Sequence, residues 1–173
     1  MSDAEERFER VFREHYGDVY RYAARRVDSG AVQDVVAETF LAAWRRHEKL
    51  RDDPLPWLLG VARRIIANHR RGDGRRAALS ARLNAEHRPS PRGLEHEDSK
   101  FTRAFSALSE RDRDALMLVA WDGLEHHAAA SVMGCSPTAF TVRLHRARRK
   151  LERALESHDG SPILTTKEAR SMK

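Results

Sequence analysis

The sequence predicts an all-α protein made of two small helical domains joined by a flexible linker, with a helix-turn-helix in the C-terminal domain. Three observations support this fold class. Apolar residues recur at three- and four-residue spacing in two separate blocks, as in amphipathic helices. A polar segment rich in charge, glycine and proline separates these blocks. The alternating β-branched runs that would indicate strands are absent from the sequence.

The expected domain boundaries follow the changes in composition. We place the N-terminal domain at residues 8–72, the linker at 73–102, the C-terminal domain at 103–156 and a polar tail at 157–173. Gly72-Asp73-Gly74 is expected to break the last helix of the N-terminal domain, because two glycines so close together disfavour helix.

Three helices are expected in the N-terminal domain. The first should end near residues 27–30, where Val-Asp-Ser-Gly interrupts the apolar pattern, and the third should run from Trp57 through Asn68. The second helix should bury one apolar face, made of Val32, Val36, Phe40 and Trp44.

The C-terminal block has clear local signals for helix ends. Ser109 is a candidate N-cap for one helix, and a short helix over His126–Met133 is followed by Gly134. Ser136 and Pro137 then open a longer helix, since serine favours the N-cap and proline the first helical position. A short helix, a glycine turn and a longer helix together predict a helix-turn-helix.

The last helix is expected to have two different faces. Its buried stripe is Phe140, Leu144, Ala147 and Leu151. Its outer face carries Thr138, Thr141, Val142, His145, Arg146 and Arg149. Arg148, Arg149 and Lys150 are expected to hold phosphates near the helix end. Residues 137–151 contain five Arg or Lys and no acid, which suits the major groove of DNA, where phosphates supply affinity and base edges supply identity. The alternative interpretation is a solvated basic helix on an ordinary helical bundle.

Composition narrows the functional classes. A net charge of +6 favours a polyanionic partner. The single cysteine, Cys135, excludes an internal disulfide and a structural zinc cluster of thiolates. The charged N-terminus has no signal-peptide core, and no apolar run approaches the ~20 residues of a membrane span, so we expect a cytoplasmic protein without membrane insertion.

No catalytic or metal site is expected, and no cofactor. His47-Glu48 lacks the second histidine of a zinc-protease helix, and residues 72–74 lack the lysine of a phosphate-binding loop. Glu95-His96-Glu97-Asp98 is better interpreted as hydrated linker than as a metal site, and Cys135 as a small core residue rather than a nucleophile. These patterns argue against an enzyme.

The C-terminal block resembles a known domain. Gly123-Leu124, Ala130, Gly134, Ser136 and the run Arg143-Leu144-His145-Arg146-Ala147-Arg148 resemble the C-terminal domain of extracytoplasmic-function sigma factors. That resemblance implies that the outer face of the last helix reads the −35 promoter element. The chain departs from the family's usual pattern at His126-His127, Ala129 and Thr141.

The segment from Gln33 to Trp44 resembles the same family's polymerase-binding segment, with Ala37 where the family usually has glutamine. Asp34, Glu38, Leu41 and Arg45 share one helix face by their spacing. The resemblance implies that this face docks on the clamp helices of the β′ subunit of core RNA polymerase. Without it, a solvated helix face would be the preferred interpretation.

The segment from Trp57 to Arg64 resembles the family helix that lines the melted −10 element. The implied DNA contacts are Trp57, Arg63, Arg64, Arg70 and Arg71. Trp57 is also a candidate core residue that braces the preceding loop, His47–Pro56, which is unusually short. Arg64 stands where many family members have asparagine.

The sequence therefore predicts a promoter-specificity subunit that acts with core RNA polymerase and promoter DNA. Family members are commonly held silent by an anti-sigma protein, so such a partner is expected, with a monomer when free. Two alternatives are a free-standing helix-turn-helix regulator and an adaptor that binds only protein. The arginine-rich last helix disfavours the adaptor, and dependence on core polymerase for promoter opening separates the first two.

Overall fold

The computed structural model describes residues 3–46, 52–81 and 100–157, with the backbone alone over 73–81. Within these ranges the chain is all helical, as predicted. The helices are α1 (Asp3–Ala24), α2 (Ser29–Trp44), α3 (Leu55–Ala81), α4 (Lys100–Ser106), α5 (Glu110–Ala120), α6 (His126–Met133) and α7 (Pro137–Ser157). None of these helices has the length and apolar character needed to cross a membrane.

Helices α1, α2 and α3 pack against one another around an apolar core. The fully buried side chains of this core include Val19, Tyr22, Val35, Leu58 and Leu59. Thr39 is a buried polar residue in this core, and its hydroxyl donates a hydrogen bond to the Val35 carbonyl oxygen at 2.7 Å, so this donor is paired.

Two expectations for this domain were wrong. Trp44 is 40% exposed, because α2 ends at this residue and its ring rests edge-on against Phe8 instead of entering the core. Helix α3 continues through Gly72-Asp73-Gly74 to Ala81. A glycine inside a helix costs only about 1 kcal/mol relative to alanine, and the neighbouring arginines and alanines are good helix formers.

The C-terminal domain confirms the helix-turn-helix. The Ser109 hydroxyl accepts a hydrogen bond from the Asp112 amide at 3.2 Å and caps α5. Helix α6 ends at Gly134, whose φ of 66° is the left-handed conformation that glycine adopts most easily. The Ser136 hydroxyl accepts from the Ala139 amide at 3.2 Å, which starts α7 at Pro137.

The predicted apolar stripe faces inward. Phe140, Leu144 and Ala147 are buried, and Leu151 is half-buried against the same core. Helices α5 and α6 supply the opposing surface. The orientation of α7 is therefore determined by apolar burial, and the opposite face of the helix is left to solvent.

The two domains contact each other directly. Helix α3 lies along α6, and the position that a Gly60 side chain would take is only 3.9 Å from the backbone of Val132. The buried residues of both domains form one continuous cluster. The part of the predicted linker between 82 and 99, and the tail after Ser157, lie outside the described residues.

Candidate functional site

The outer face of α7 is accessible along its length. All six residues predicted for this face are exposed, namely Thr138, Thr141, Val142, His145, Arg146 and Arg149. Val142 is 44% exposed, a large value for an aliphatic side chain. The Thr141 hydroxyl donates to the Pro137 carbonyl oxygen at 3.0 Å, so its polar atom is engaged within the helix.

Two cations of α7 have a structural partner that sequence reasoning missed. Lys150 donates to the Asp112 carboxylate at 2.7 Å, and Arg143 lies 3.6 Å from the other carboxylate oxygen. Asp112 is buried in the first turn of α5. Burial acts to raise its pKa, but the hydrogen bonds from Lys150 and Ser109 outweigh burial and hold the pKa below its usual value. These contacts tie α7 to α5.

The predicted polymerase face of α2 is also open to solvent. Asp34, Glu38, Leu41 and Arg45 are all exposed, and Leu41 is 49% exposed. Glu38 is within 3.2 Å of the Nε2 atom of His69 on α3. The surface combines one prominent apolar side chain with acids on one side and a base at the end.

An aromatic stripe on α1 adjoins this face and was not predicted. Phe12 and Tyr20 are partly exposed, and they lie in one row with Tyr16 between them. The ring of Phe12 packs against Phe40 of α2, with 4.7 Å between ring centroids. The i, i+4 spacing of these aromatic residues was the available signal, but it is equally typical of core.

The predicted −10 residues on α3 do not share one face. Arg64 is exposed, and its Nε atom donates to the Gly60 carbonyl oxygen at 3.2 Å. Arg71 is exposed as well and hydrogen-bonds Asn68 within the helix. Trp57 is half-buried against the core. Residues 47–51 of the preceding loop lie outside the described part of the chain.

Arg63 and Arg70 instead face the second domain. The Arg63 Nε atom donates to the Asp114 carboxylate at 3.3 Å, and Arg70 pairs with Glu110. Arg70 also donates to the carbonyl oxygen of Arg26 at 2.9 Å, and burial lowers the pKa of its guanidinium. Both acids belong to α5, so two of the predicted DNA-binding cations are engaged by the helix-turn-helix domain.

A buried ion cluster lies at the centre of this contact. The Arg26 side chain is only 3% exposed, and it donates to Asp122 at 2.8 Å and to Asp114 at 3.4 Å. Arg25 donates to the second Asp122 oxygen at 3.0 Å. The Arg26 guanidinium also lies 3.7 Å from the ring centroid of Tyr22. Arg26 and its carboxylate partners are more than 80 residues apart in sequence, so no local sequence pattern predicts the cluster.

A pocket of about 390 Å³ opens beside the segment that precedes α3. It is lined by Arg7, Arg10, Val11, Glu14, Asp52 and Pro54. Arg7 and Asp52 pair across it at 3.0 Å. In the described ranges, no group of three or more His, Cys, Asp or Glu side chains is arranged to hold a metal ion.

Two family models match the chain in the order of its domains. The model of sigma-70 region 2 matches residues 11–76, and that of sigma-70 region 4 matches residues 99–151. The first match covers the α1–α3 bundle, and the second covers the helix-turn-helix domain as far as Leu151.

Individual proteins show the same similarity. The extracytoplasmic-function sigma factor SigC of Mycobacterium tuberculosis is 32% identical over 148 residues, which cover 82% of this chain and 80% of SigC. The probable sigma factor RfaY of Xanthomonas campestris is also 32% identical, over 74% of this chain but only 35% of RfaY.

A solved structure shares the fold. The sigma factor RpoE, solved with the anti-sigma factor NepR from Bartonella quintana, has a TM-score of 0.67 and 23% identity, covering 86% of this chain and 96% of RpoE. Together, the two region matches, the relative SigC and the helix-turn-helix geometry establish the family. The chain belongs to the extracytoplasmic-function sigma factors of the sigma-70 family and is a promoter-specificity subunit of RNA polymerase.

Proposed function

We propose that three helices divide the work of this sigma factor. Helix α2 binds core polymerase, α3 contacts the opened −10 element, and α7 reads the −35 element in the major groove. The observation that carries the proposal is the exposed outer face of α7, which the buried stripe turns outward.

The chemistry of α7 fits base reading as well as phosphate binding. Arg146 can donate two hydrogen bonds to a guanine, and the methyl groups of Thr141 and Val142 can pack on thymine methyl groups. Arg148 and Arg149 are exposed nearer the end of the helix and suit phosphates. Lys150, which the sequence suggested as a phosphate contact, has its ammonium group on Asp112 instead.

The outer face of α2 fits a partner helix. The exposed Leu41 has Glu38 one turn earlier and Asp34 two turns earlier, which gives an apolar centre with an acidic flank. Family resemblance assigns this partner as the clamp helices of the β′ subunit. The exposed aromatic stripe of α1 would widen the same apolar surface.

Reversing the charge at Asp34 is expected to weaken binding to core polymerase about tenfold or more, because it places like charge where complementary charge is needed. The measurement is the affinity of Asp34→Lys for purified core polymerase, with circular dichroism to show unchanged helicity. Glu14→Lys makes the same charge change at an exposed position of α1 and serves as the control. Undiminished core binding by Asp34→Lys would remove α2 from the interface.

Helix α3 offers cations for the −10 element, and a pocket lies between α1 and the segment that precedes α3. Arg64 and Arg71 are exposed for phosphate contacts, and the pocket of about 390 Å³ lies beside the loop before α3. Its volume is within the usual range for small-molecule sites and would accommodate an unstacked base. Trp57, in the first turn of α3, packs against the core.

Replacing Arg64 with alanine is expected to slow promoter opening on duplex DNA by about tenfold, since an exposed phosphate contact to the opened strand is lost. The loss should be smaller on a template that is already melted at the −10 element. Potassium permanganate footprinting and run-off transcription with core polymerase give the comparison. Equal losses on the two templates would show that Arg64 supplies general DNA affinity rather than help with opening.

We further propose an anti-sigma partner for this chain, because the structurally similar RpoE was solved with one. The exposed apolar residues of α1 and α2 are suitable contacts for such a partner. The chain acts by binding polymerase and DNA, so the proposal gives it no catalytic step of its own.

A further inference from the structure

The domain contact brings opposite charges together. The N-terminal domain contributes Arg25 and Arg26 after α1 and Arg63 on α3, and the C-terminal domain contributes Asp114 on α5 and Asp122 in the turn that follows. Arg26, Asp114 and Asp122 are largely buried by this contact. The charges of the two domains therefore neutralise each other in the interface.

The same contact covers α3 on the side where DNA would need it. Arg63 and Arg70 bind carboxylates of α5, and α3 also contacts α6, where Gly60 lies close to the backbone of Val132. Arg63 is 28% exposed and Arg70 is 41% exposed, so a DNA phosphate would have to displace a carboxylate from each guanidinium group. The outer face of α7, in contrast, stays exposed in this arrangement.

We infer that this packed arrangement is a self-inhibited state, in which the carboxylates of Asp114 and Glu110 occupy the phosphate-binding positions of Arg63 and Arg70. The inference rests on the proposed contact between α3 and the −10 element. Opening of the domain contact frees both arginines, so the closed state weakens −10 binding while −35 binding continues.

The buried ion cluster contributes little net stability, which suits a domain contact that has to open. Removing charges from water costs nearly as much as their attraction returns, so a complete buried ion cluster adds little net stability compared with apolar packing. It nevertheless selects one arrangement, because each charge needs its own partner. Residues 82–99 join α3 to α4 and, fully extended, have a reach of about 60 Å, which allows the domains to separate.

The test uses the full-length chain with Asp114→Asn and Asp122→Asn combined. Spin labels on cysteines introduced at the exposed positions Glu9 and Glu152, with Cys135→Ser, report the distance between the domains by pulsed electron resonance. A fluorescent single-stranded −10 oligonucleotide and a −35 duplex report binding without polymerase. Asp18→Asn is the matched control, since Asp18 pairs with Arg21 inside α1 and not across the domains.

We expect longer and broader label distances for the double variant, with single-strand binding about tenfold tighter, because a mostly closed protein binds in proportion to its open fraction. Binding to the −35 duplex should not change, and Asp18→Asn should behave as the unaltered chain. If the double variant loses helicity, Glu110→Gln replaces it, because Glu110 is half-exposed and its loss leaves no buried unpaired charge.

Unchanged label distances in the folded variant would overturn the self-inhibited state, whatever the binding result. Longer distances with no gain in single-strand binding would overturn the inhibitory effect on α3. The Arg64 experiment then separates the two causes. If the holoenzyme with Arg64→Ala opens promoters normally, the proposed role of α3 at the −10 element is wrong. If promoter opening is impaired, that role holds and only the self-inhibition is wrong.

Discussion

Replacing Phe140 with alanine is expected to lower the free energy of unfolding of the C-terminal domain by about 3–5 kcal/mol. The ring is completely buried between α7 and the helices that face it, with the His126 ring 5.9 Å away in an edge-on contact. Its removal leaves a cavity at the start of the buried stripe. Since small domains are stable by only about 5–15 kcal/mol, a loss of this size is a large fraction of the total.

Chemical denaturation of the full chain, followed by circular dichroism, measures this loss, and −35 duplex binding should fall with it at 37 °C. Val142→Ala on the exposed side of the same helix is the control, and it should change stability by less than about 0.5 kcal/mol. If Phe140→Ala costs no more than Val142→Ala, the faces of α7 are assigned the wrong way round, and the −35 proposal fails with them.

The sequence predicted α5, α6 and α7 well because their signals are local. The Ser109 and Ser136 caps, the left-handed Gly134 and the apolar repeat after Phe140 each involve residues within a turn or two of one another. Helix ends favour particular capping residues, and burial of one helix face favours apolar residues at regular spacing, so both can be read from the sequence. The same holds for the exposed face of α2, which follows from the spacing of its buried residues.

Contacts between residues far apart in sequence have no local sequence signal. Asp112 and Lys150 are 38 residues apart, and Arg26 and Asp114 are 88 apart. A charged residue in a sequence is usually solvated, so its burial with a partner is an outcome of tertiary packing. For this reason the carboxylate partners of Arg63 and Lys150 could not be predicted from the sequence, and the DNA contacts expected of both residues stay predictions.

Helix continuity at Gly72 is a different kind of miss. Two glycines weaken a helix by a small amount, and a long helix of good formers tolerates that cost. The exposure of Trp44 likewise depends on where α2 ends, and the apolar repeat alone does not fix that point. Both cases concern helix limits, which periodicity determines less well than helix faces.

Changing Arg146 to alanine is expected to cost about 1–3 kcal/mol in −35 binding and to relax the preference at one base pair, because a bidentate contact to guanine is lost. Arg148→Ala is the matched phosphate variant on the same helix. It should weaken all sequences alike and reduce the dependence of binding on salt by about one unit of slope. Arg148 replaces Lys150 as the comparison because Lys150 binds Asp112, and its loss would also disturb the attachment of α7.

The measurement is binding of the full chain to a set of −35 duplexes that differ at single positions, at several salt concentrations. Arg146 should give a position-dependent loss with a nearly unchanged salt slope, and Arg148 the reverse. The distinction follows from chemistry, since base edges differ between duplexes and phosphates do not. If both variants weaken every duplex by the same factor, Arg146 contacts phosphate, and base reading must come from Thr141, Val142 and His145 on the same exposed face.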